Sequence, residues 1–170
     1  MKMEFGILTV SDRSSTGERD DLSGPALVQA VQDAGWKICQ TAVVPDDHQE
    51  IKAILEDWSD EERCSVILTT GGTGFSVRDI TPEATLAVID REAPGLAEAM
   101  RAGSLKITSH AMLSRAAAGI RKKTLIINLP GSPKGALENF RIVAPVLVHA
   151  VQLLEDDQEA EKGHYHGRPM

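Results

Sequence analysis

Short runs of apolar and β-branched residues alternate along this chain with segments whose apolar residues recur at helical spacing. Strands are predicted over residues 4–10, 36–44, 65–70 and 124–130, and helices over 24–34, 49–58, 81–90, 94–106 and 131–154, with 110–120 ambiguous. This alternation predicts an α/β fold of three layers, in which a mostly parallel sheet has helices on both faces. In such sheets ligands bind outside the carboxyl ends of the strands, so the loops that follow the strands are the candidate functional segments.

Capping and breaking residues mark the ends of several elements. Asp47 is placed to cap the second helix, because Glu50 follows three residues later. Thr81 is the expected N-cap of the third helix, with Pro82 at its first helical position. Pro145 predicts a break or kink, so the last segment forms one or two closing helices.

Length and composition predict one domain followed by a short tail. The chain has 170 residues, of which 42% are hydrophobic and 25% charged, as is ordinary for a soluble globular protein. We expect a single domain over residues 1–154. Residues 155–170 are acidic and then interrupted by glycine and proline, which is typical of a mobile tail.

Charge and hydropathy argue against two classes of partner. A formal charge of −7 does not favour a broad grip on a nucleic-acid backbone. The longest apolar stretch, Ile142 to Leu154, is interrupted by His149 and Gln152 and is shorter than the roughly 20 residues that span a bilayer. The N-terminus reaches charged residues too soon for a signal peptide. We therefore expect a cytoplasmic protein that binds neither nucleic acid nor membrane.

Cysteines and histidines are not expected to supply the chemistry. Cys39 and Cys64 are predicted to be reduced thiols of the core. His48, His110 and His149 are scattered and form no site on spacing.

The stretch TTGGTG places Gly71, Gly72 and Gly74 directly after a buried strand. Glycines allow positive φ and let backbone N–H groups form a concavity that binds anions, so this loop is a candidate phosphate site. The alternative is a tight strand-to-helix turn without a ligand. The spacing matches neither a dinucleotide fingerprint nor a P-loop.

Carboxylates follow three of the predicted strands at the same edge. Asp46 and Asp79 each come a few residues after a strand end, and Asp12 is a third candidate. In such positions a carboxylate can hold Mg²⁺ bound to a polyphosphate or position a reacting group. The alternative for each is a solvated turn residue or cap.

The stretch PGSPKG follows the late strand and suggests a second anion pocket. Gly131 and Ser132 offer donors, and Lys134 lies at a helix start, where anions are favoured. A plain turn with an N-cap explains the same residues. Ser114 and Arg115 are either substrate contacts or an ordinary surface residue beside a core residue.

Six motifs occur together along the chain: SDR at 11–13, PD at 45–46, TTGGTG at 69–74, RDITPEA at 78–84, LSR at 113–115 and NLPGSPKG at 128–135. In this combination and order they closely resemble the molybdopterin adenylyltransferase family of MogA/MoaB-like proteins, over about residues 4 to 154. The resemblance implies a molybdopterin-binding-like α/β fold, usually in a homotrimer. It also implies that ATP and Mg²⁺ are used to adenylylate molybdopterin with release of pyrophosphate, before hand-over to a molybdenum insertase.

Carried over by position, the resemblance implies that Asp46 and Asp79 are the catalytic carboxylates and the candidate ligands of Mg²⁺. The implied substrate-binding residues are Ser11, Asp12, Gly71, Gly72, Thr73, Gly74, Arg78, Ser114, Arg115, Gly131, Ser132 and Lys134. Both reactants are polyanions, so we expect catalysis to depend on positioning and on charge neutralisation, in part by Lys134 or Arg78.

Other members of the same fold are weaker fits. The domain of molybdenum insertases normally carries further domains that 170 residues cannot hold, and the domain of competence-damage-inducible proteins differs around the glycines. A different class is a non-catalytic paralogue that binds molybdopterin or acts as a scaffold. Retention of Asp46 and Asp79 favours the enzyme.

Overall fold

A single six-stranded sheet runs through the computed structural model, which describes residues 3–155. Its strands are β1 (Glu4–Val10), β2 (Lys37–Val44), β3 (Val66–Thr70), β4 (Arg91–Glu92), β5 (Ala118–Arg121) and β6 (Thr124–Leu129). Their order across the sheet is β2-β1-β3-β6-β5-β4. The first four strands in that order are parallel, and β5 and β4 extend the sheet antiparallel. The predicted mostly parallel α/β sheet is confirmed.

Helices cover both faces of the sheet, as the alternation of elements predicts. They are α1 (Asp12–Ser15), α2 (Ser23–Asp33), α3 (His48–Asp60), α4 (Thr81–Leu86), α5 (Pro94–Leu105) and α6 (Pro133–Leu154), with a 3₁₀ turn at Ser109–Leu113. One face of the sheet packs against α2, α5 and α6, and the other face packs against α3 and α4. Apart from Glu155, the predicted tail lies outside the described residues.

The strand sequences account for this three-layer core. Phe5 and Ile7 on β1 enter one hydrophobic cluster, whereas Leu8 and Val10 enter the other, because successive side chains of a strand point to opposite faces. All five residues of β3 are buried, as expected for a continuously apolar strand in the middle of a parallel sheet.

Several local features differ from the sequence-based expectations. The polar loop after β1 contains the one-turn helix α1, which is too short to show helical periodicity. Thr81 is the first residue of α4 and not its N-cap; the N-cap position is Ile80. The Thr81 hydroxyl instead donates a hydrogen bond to the Gly71 carbonyl at 2.9 Å. The ambiguous segment 110–120 divides into a 3₁₀ turn, an extended stretch and β5.

The last helix is one continuous element in spite of Pro145. With 22 residues, α6 is long and apolar enough to meet the length and composition test for a membrane span. Its buried residues Phe140, Val143, Leu147 and Val151 recur at three- and four-residue spacing and pack into the core. One face of α6 is therefore part of the hydrophobic core of the domain.

Asn128 on β6 ties the sheet to the segments on its α4 side. This fully buried side chain donates to the hydroxyls of Thr69 (3.0 Å) and Thr85 (2.8 Å), and its amide oxygen accepts from the Ala117 N–H at 3.1 Å. The network fixes α4 and the stretch before β5 against β3, and both flank the loop after β3.

We predict that Asn128→Ala lowers the free energy of unfolding by about 2–4 kcal/mol, because it leaves two buried hydroxyls and one partly buried N–H without their partner. Urea denaturation measures this change. The control Gln29→Ala removes an exposed hydrogen bond to Asp33 and should cost no more than about 0.5 kcal/mol. A loss below about 1 kcal/mol for Asn128→Ala would contradict the assigned role.

Candidate active site

A cavity of about 650 Å³ lies at the carboxyl ends of the parallel strands. It is lined by the segments that follow β1, β2, β3 and β6, so all four candidate loops meet there. The connection from β1 leads to β2 on one side, whereas β3 lies on the other side of β1, which makes this edge a topological switch point. The lining residues are Thr9 to Ser14, Arg19 to Ser23, Asp46, Thr70 to Gly72, Ser76, Arg78, Asp79 and Gly131 to Pro133.

The turn after β3 requires glycine at two positions. Gly71 and Gly72 have φ values of 101° and 64°, in the region that side chains disfavour. Thr81 stabilises this turn through two hydrogen bonds. Its N–H donates to the Gly72 carbonyl at 3.1 Å, and its hydroxyl donates to the Gly71 carbonyl. The Gly71 N–H is used by the Leu129 carbonyl at 3.3 Å, which leaves that donor committed to the protein.

Two of the glycines lie against the two candidate catalytic carboxylates. A Cβ atom on Gly72 would lie 2.9 Å from Asp46 Oδ1, and one on Gly74 would lie 2.9 Å from Asp79 Oδ2. Both distances are shorter than a normal contact. The small size of Gly72 and Gly74 therefore sets where these carboxylates can be, in addition to the freedom that Gly72 gives the backbone.

Asp12 and Asp46 bind each other's backbone. The Asp46 carboxylate accepts from the Asp12 N–H at 3.0 Å, and the Asp12 carboxylate accepts from the Asp46 N–H at 3.0 Å. Ser11 directs the chain into this arrangement, because its N–H donates to the Val44 carbonyl and its hydroxyl caps α1 by accepting from the Ser14 N–H. The reciprocal pair joins the end of β1 to the end of β2.

Arg78 completes the pair with a two-pronged ion pair to Asp12. Its Nε and Nη2 donate to the two oxygens of Asp12 at 2.9 and 2.8 Å. The hydrogen bond from Arg78 lowers the pKa of Asp12 below its ordinary value. Burial raises the pKa of Asp46, and the nearby charges of Asp12 and Asp79 raise it further. The cavity therefore places a carboxylate with a lowered pKa beside one with a raised pKa.

Asp79 closes its own short loop. Its Oδ2 accepts from the Ser76 N–H at 3.0 Å, and its N–H donates to the Ser76 carbonyl at 3.0 Å. Asp79 and Asp46 both line the cavity from different loops.

The structure brings nine of the fourteen sequence-predicted site residues to the cavity wall: Ser11, Asp12, Asp46, Gly71, Gly72, Arg78, Asp79, Gly131 and Ser132. Ser132 caps α6 by accepting from the Gly135 N–H at 3.1 Å, which supports the plain turn-plus-cap interpretation of PGSPKG as well as a site there. The remaining five predicted residues, Thr73, Gly74, Ser114, Arg115 and Lys134, do not line the cavity.

Those five residues have other surroundings. Thr73 is buried, and Lys134 is 80% exposed and lies 3.9 Å from Glu138. The Ser114 hydroxyl accepts from the Ala116 N–H at 3.3 Å. Arg115 directs its guanidinium to protein acceptors in the loop after β3.

Sequence reasoning missed several polar residues of the cavity. Arg13, Arg19 and Asp20 line it from the loop after β1, and Ser76 lines it from the loop after β3. Asp21 also lines it, while accepting hydrogen bonds from the Thr9 hydroxyl at 2.7 Å and the Gly24 N–H at 3.0 Å. The available signal is the density of charge in SDRSSTGERDD, from which only Ser11 and Asp12 are predicted to be site residues.

The donor set suits Mg²⁺ that arrives with a phosphate ligand. Among residues 3–155, no three His, Cys, Asp or Glu side chains are grouped to hold a metal ion by themselves. Mg²⁺ in nucleotide enzymes commonly takes one or two carboxylates and completes its shell with water and phosphate oxygens. Asp46 and Asp79 fit that requirement, since both face the same cavity.

Comparisons with known proteins agree with this geometry. A family model described as "probable molybdopterin binding domain" matches residues 6–149. A molybdopterin adenylyltransferase from Helicobacter pylori is 42% identical over 89% of this chain and 88% of its own length. The molybdenum cofactor synthesis protein cinnamon of Drosophila melanogaster is 45% identical over 90% of this chain, which spans only 26% of that protein. The crystal structure of the molybdopterin biosynthesis enzyme MoaB from Thermus thermophilus has a TM-score of 0.86 and 48% identity, and the match covers 91% of this chain and 98% of that one.

The raised pKa of Asp46 leads to a stability prediction. Because burial raises this pKa, the folded protein binds the proton more tightly than the unfolded chain, and stability falls as the pH rises from the ordinary aspartate pKa through the raised value. At pH 7 the ionised carboxylate is therefore unfavourable. We predict that Asp46→Asn raises the melting temperature at pH 7 by about 1–3 °C.

Thermal unfolding between pH 4 and pH 8 measures this effect, and the gain should shrink towards the acid end, where Asp46 becomes protonated in the parent protein. Asp47→Asn is the matched control, because Asp47 caps α3 and asparagine caps equally well. A lower melting temperature for Asp46→Asn at pH 7 would show that its hydrogen bond to the Asp12 N–H outweighs the cost of its charge.

Proposed function

This chain belongs to the family of probable molybdopterin binding domains, and on that premise we propose that it adenylylates molybdopterin with Mg-ATP. The products are adenylyl-molybdopterin and pyrophosphate, and the reaction belongs to molybdenum cofactor biosynthesis. The observation that carries this proposal is the meeting of Asp46, from the loop after β2, with Arg78 and Asp79, from the loop after β3, in one cavity. The 42% identity to a molybdopterin adenylyltransferase over 88% of that enzyme's length supports the same activity.

In this reaction the terminal phosphate of the pterin attacks the α-phosphorus of ATP. One P–O bond forms between them, and the bond from the α-phosphorus to the bridging oxygen breaks, so pyrophosphate leaves with its electron pair. Both reactants are anionic, which makes charge neutralisation and alignment the main tasks of the protein. Arg13, Arg19 and Arg78 supply positive charge around the cavity for this purpose.

The carboxylates would bind the metal ion, whereas the arginines would bind phosphate directly. Asp46 and Asp79 would hold Mg²⁺, which neutralises phosphate oxygens when it is bound. Asp12 holds the Arg78 guanidinium over the cavity through two hydrogen bonds, so this cation is already aligned when a phosphate enters. Gly72 and Gly74 leave the space in which Asp46 and Asp79 lie. Adenylyl transfer by this route requires no histidine as an acid or a base.

We propose a homotrimer that works in the cytoplasm, without nucleic acid or membrane partners, and hands its product to a molybdenum insertase. Exposed apolar side chains that subunit contacts would cover include Ile107, Met112 and Leu113. The likeness to one quarter of cinnamon, a molybdenum cofactor synthesis protein, supports a role in the same synthesis. Sedimentation velocity tests the trimer.

The activity is tested by incubating the purified protein with molybdopterin, ATP and Mg²⁺ and measuring adenylylated pterin and pyrophosphate. We expect both products in equal amounts, and we expect neither without Mg²⁺. Asp79→Asn should bind the pterin and form no product. Tight pterin binding by the parent protein without adenylylated product would support the scaffold paralogue instead.

We predict that Gly74→Ala lowers kcat by at least about tenfold, because a Cβ atom there meets the Asp79 carboxylate at 2.9 Å and displaces it. The melting temperature should change little, since Gly74 has no positive φ and the contact is with the end of a side chain. Gly95→Ala is the matched control, because a Cβ atom at Gly95 meets nothing within 4 Å. Steady-state kinetics of the two variants measures the change in kcat. Equal kcat values would show that the reaction tolerates the displacement of the Asp79 carboxylate.

A further inference from the structure

The guanidinium of Arg115 spans the base of the loop formed by residues 74–79. Its Nε donates to the Gly74 carbonyl at 2.7 Å, and its Nη2 donates to the Asp79 carbonyl at 2.8 Å. These two carbonyls are the first and last of the loop. One planar side chain therefore joins the two ends of GFSVRD, a segment it is more than thirty residues away from in sequence.

The 74–79 loop has little other support. Phe75 is 68% exposed and Val77 is fully exposed, so neither side chain anchors the loop in the core. Within the loop, Asp79 bonds to the N–H and the carbonyl of Ser76. Arg78 also reaches across to Asp12 through two hydrogen bonds, but this contact is made by an exposed side chain and leaves the ends of the loop unattached. The Arg115 contacts hold the backbone at both ends of the loop to the rest of the domain.

Arg115 is itself held in place from two sides. Its backbone N–H donates to the Thr73 carbonyl at 2.9 Å, which fixes the main chain of residue 115 beside the glycine turn. Its Nη1 donates to Glu83 Oε1 on α4. The other oxygen of Glu83 is buried and has no hydrogen-bond partner within residues 3–155, so the bond to Arg115 is the side-chain hydrogen bond that this carboxylate makes there.

We propose that Arg115 is a positioning residue, which holds the 74–79 loop so that Arg78 and Asp79 face the cavity; the inference rests on the proposed adenylyl transfer. Arg115 does not line the cavity, and each of its three nitrogens has a protein acceptor. It thus acts on the reaction through the loop and makes no contact with the substrates. This differs from the substrate-binding role that the sequence resemblance implies for Arg115.

Lysine is the informative substitution at this position. Arg115→Lys keeps the positive charge next to Glu83, but its single nitrogen cannot reproduce the planar fork that reaches Gly74 and Asp79 together. We expect kcat to fall by at least about tenfold while KM for ATP changes by less than about threefold, because alignment is lost and the binding surface remains. Hydrogen–deuterium exchange of the amides in residues 74–79 should become faster.

Arg121→Lys is the matched control. Arg121 is also a partly buried arginine with three bonded nitrogens, which donate to both oxygens of Asp60 and to the Val88 carbonyl. It lies outside the cavity wall. We expect it to lose stability as Arg115→Lys does, with kcat within about twofold of the parent protein and with unchanged exchange in residues 74–79.

Glu83→Gln is a milder second variant in case Arg115→Lys does not fold. Glutamine keeps an oxygen for Nη1 and leaves the bonds to Gly74 and Asp79 in place, so kcat and loop exchange should lie between those of the parent and of Arg115→Lys. A raised KM with unchanged kcat in Arg115→Lys would overturn the proposal and assign a substrate contact. Unchanged exchange in residues 74–79 would overturn it as well. The exchange measurement needs no turnover, so it tests the loop support even if the parent protein forms no adenylylated product.

Discussion

The backbone N–H groups of Asp12 and Asp46 each donate a hydrogen bond to the carboxylate of the other residue, and these two bonds hold the ends of β1 and β2 together. The organisation of the cavity follows from this contact. The exchange turns both side chains into the same space, where they would repel each other. Arg78 neutralises the negative charge of Asp12 through an ion pair. The other carboxylate, Asp46, keeps a raised pKa because burial and its acidic neighbours are not offset to the same degree. The cavity wall thus contains carboxylates that the protein only partly neutralises, and the proposed Mg²⁺ would supply the missing positive charge.

The glycines after β3 have a second role besides the one that the sequence suggests. Positive φ is needed at Gly71 and Gly72, which agrees with a loop that exposes backbone donors. The N–H of Gly71 is nevertheless committed to Leu129, and Gly72 and Gly74 are close to the carboxylates of Asp46 and Asp79. The same short segment therefore shapes the backbone and leaves room for acidic side chains that come from elsewhere. An argument from backbone conformation alone detects the first requirement and misses the second.

The sequence predicts features that are encoded locally and misses those that depend on distant contacts. Strands such as β1 and β3 are apparent because their β-branched runs are bounded by polar turns, and their parallel pairing then places four loops at one edge. The helix α1 has only four residues and shows no period. Thr81 resembles an N-cap in sequence, but its hydroxyl serves the glycine turn ten residues earlier. Arg115 belongs to a recognisable motif, and yet its partners Gly74 and Asp79 are more than thirty residues away, so its contacts are visible only in the folded chain.

The ion pair between Arg78 and Asp12 would couple the binding of an anion in the cavity to the binding of a cation. An incoming phosphate that takes over the guanidinium leaves the Asp12 carboxylate without its counter-ion, beside Asp46, and so raises the affinity of this wall for a cation. Linkage requires the reverse as well, since a cation that engages the carboxylates releases Arg78 for the anion. On the proposed function, a phosphate and Mg²⁺ would therefore bind cooperatively in this cavity, and each would bind more weakly without the other.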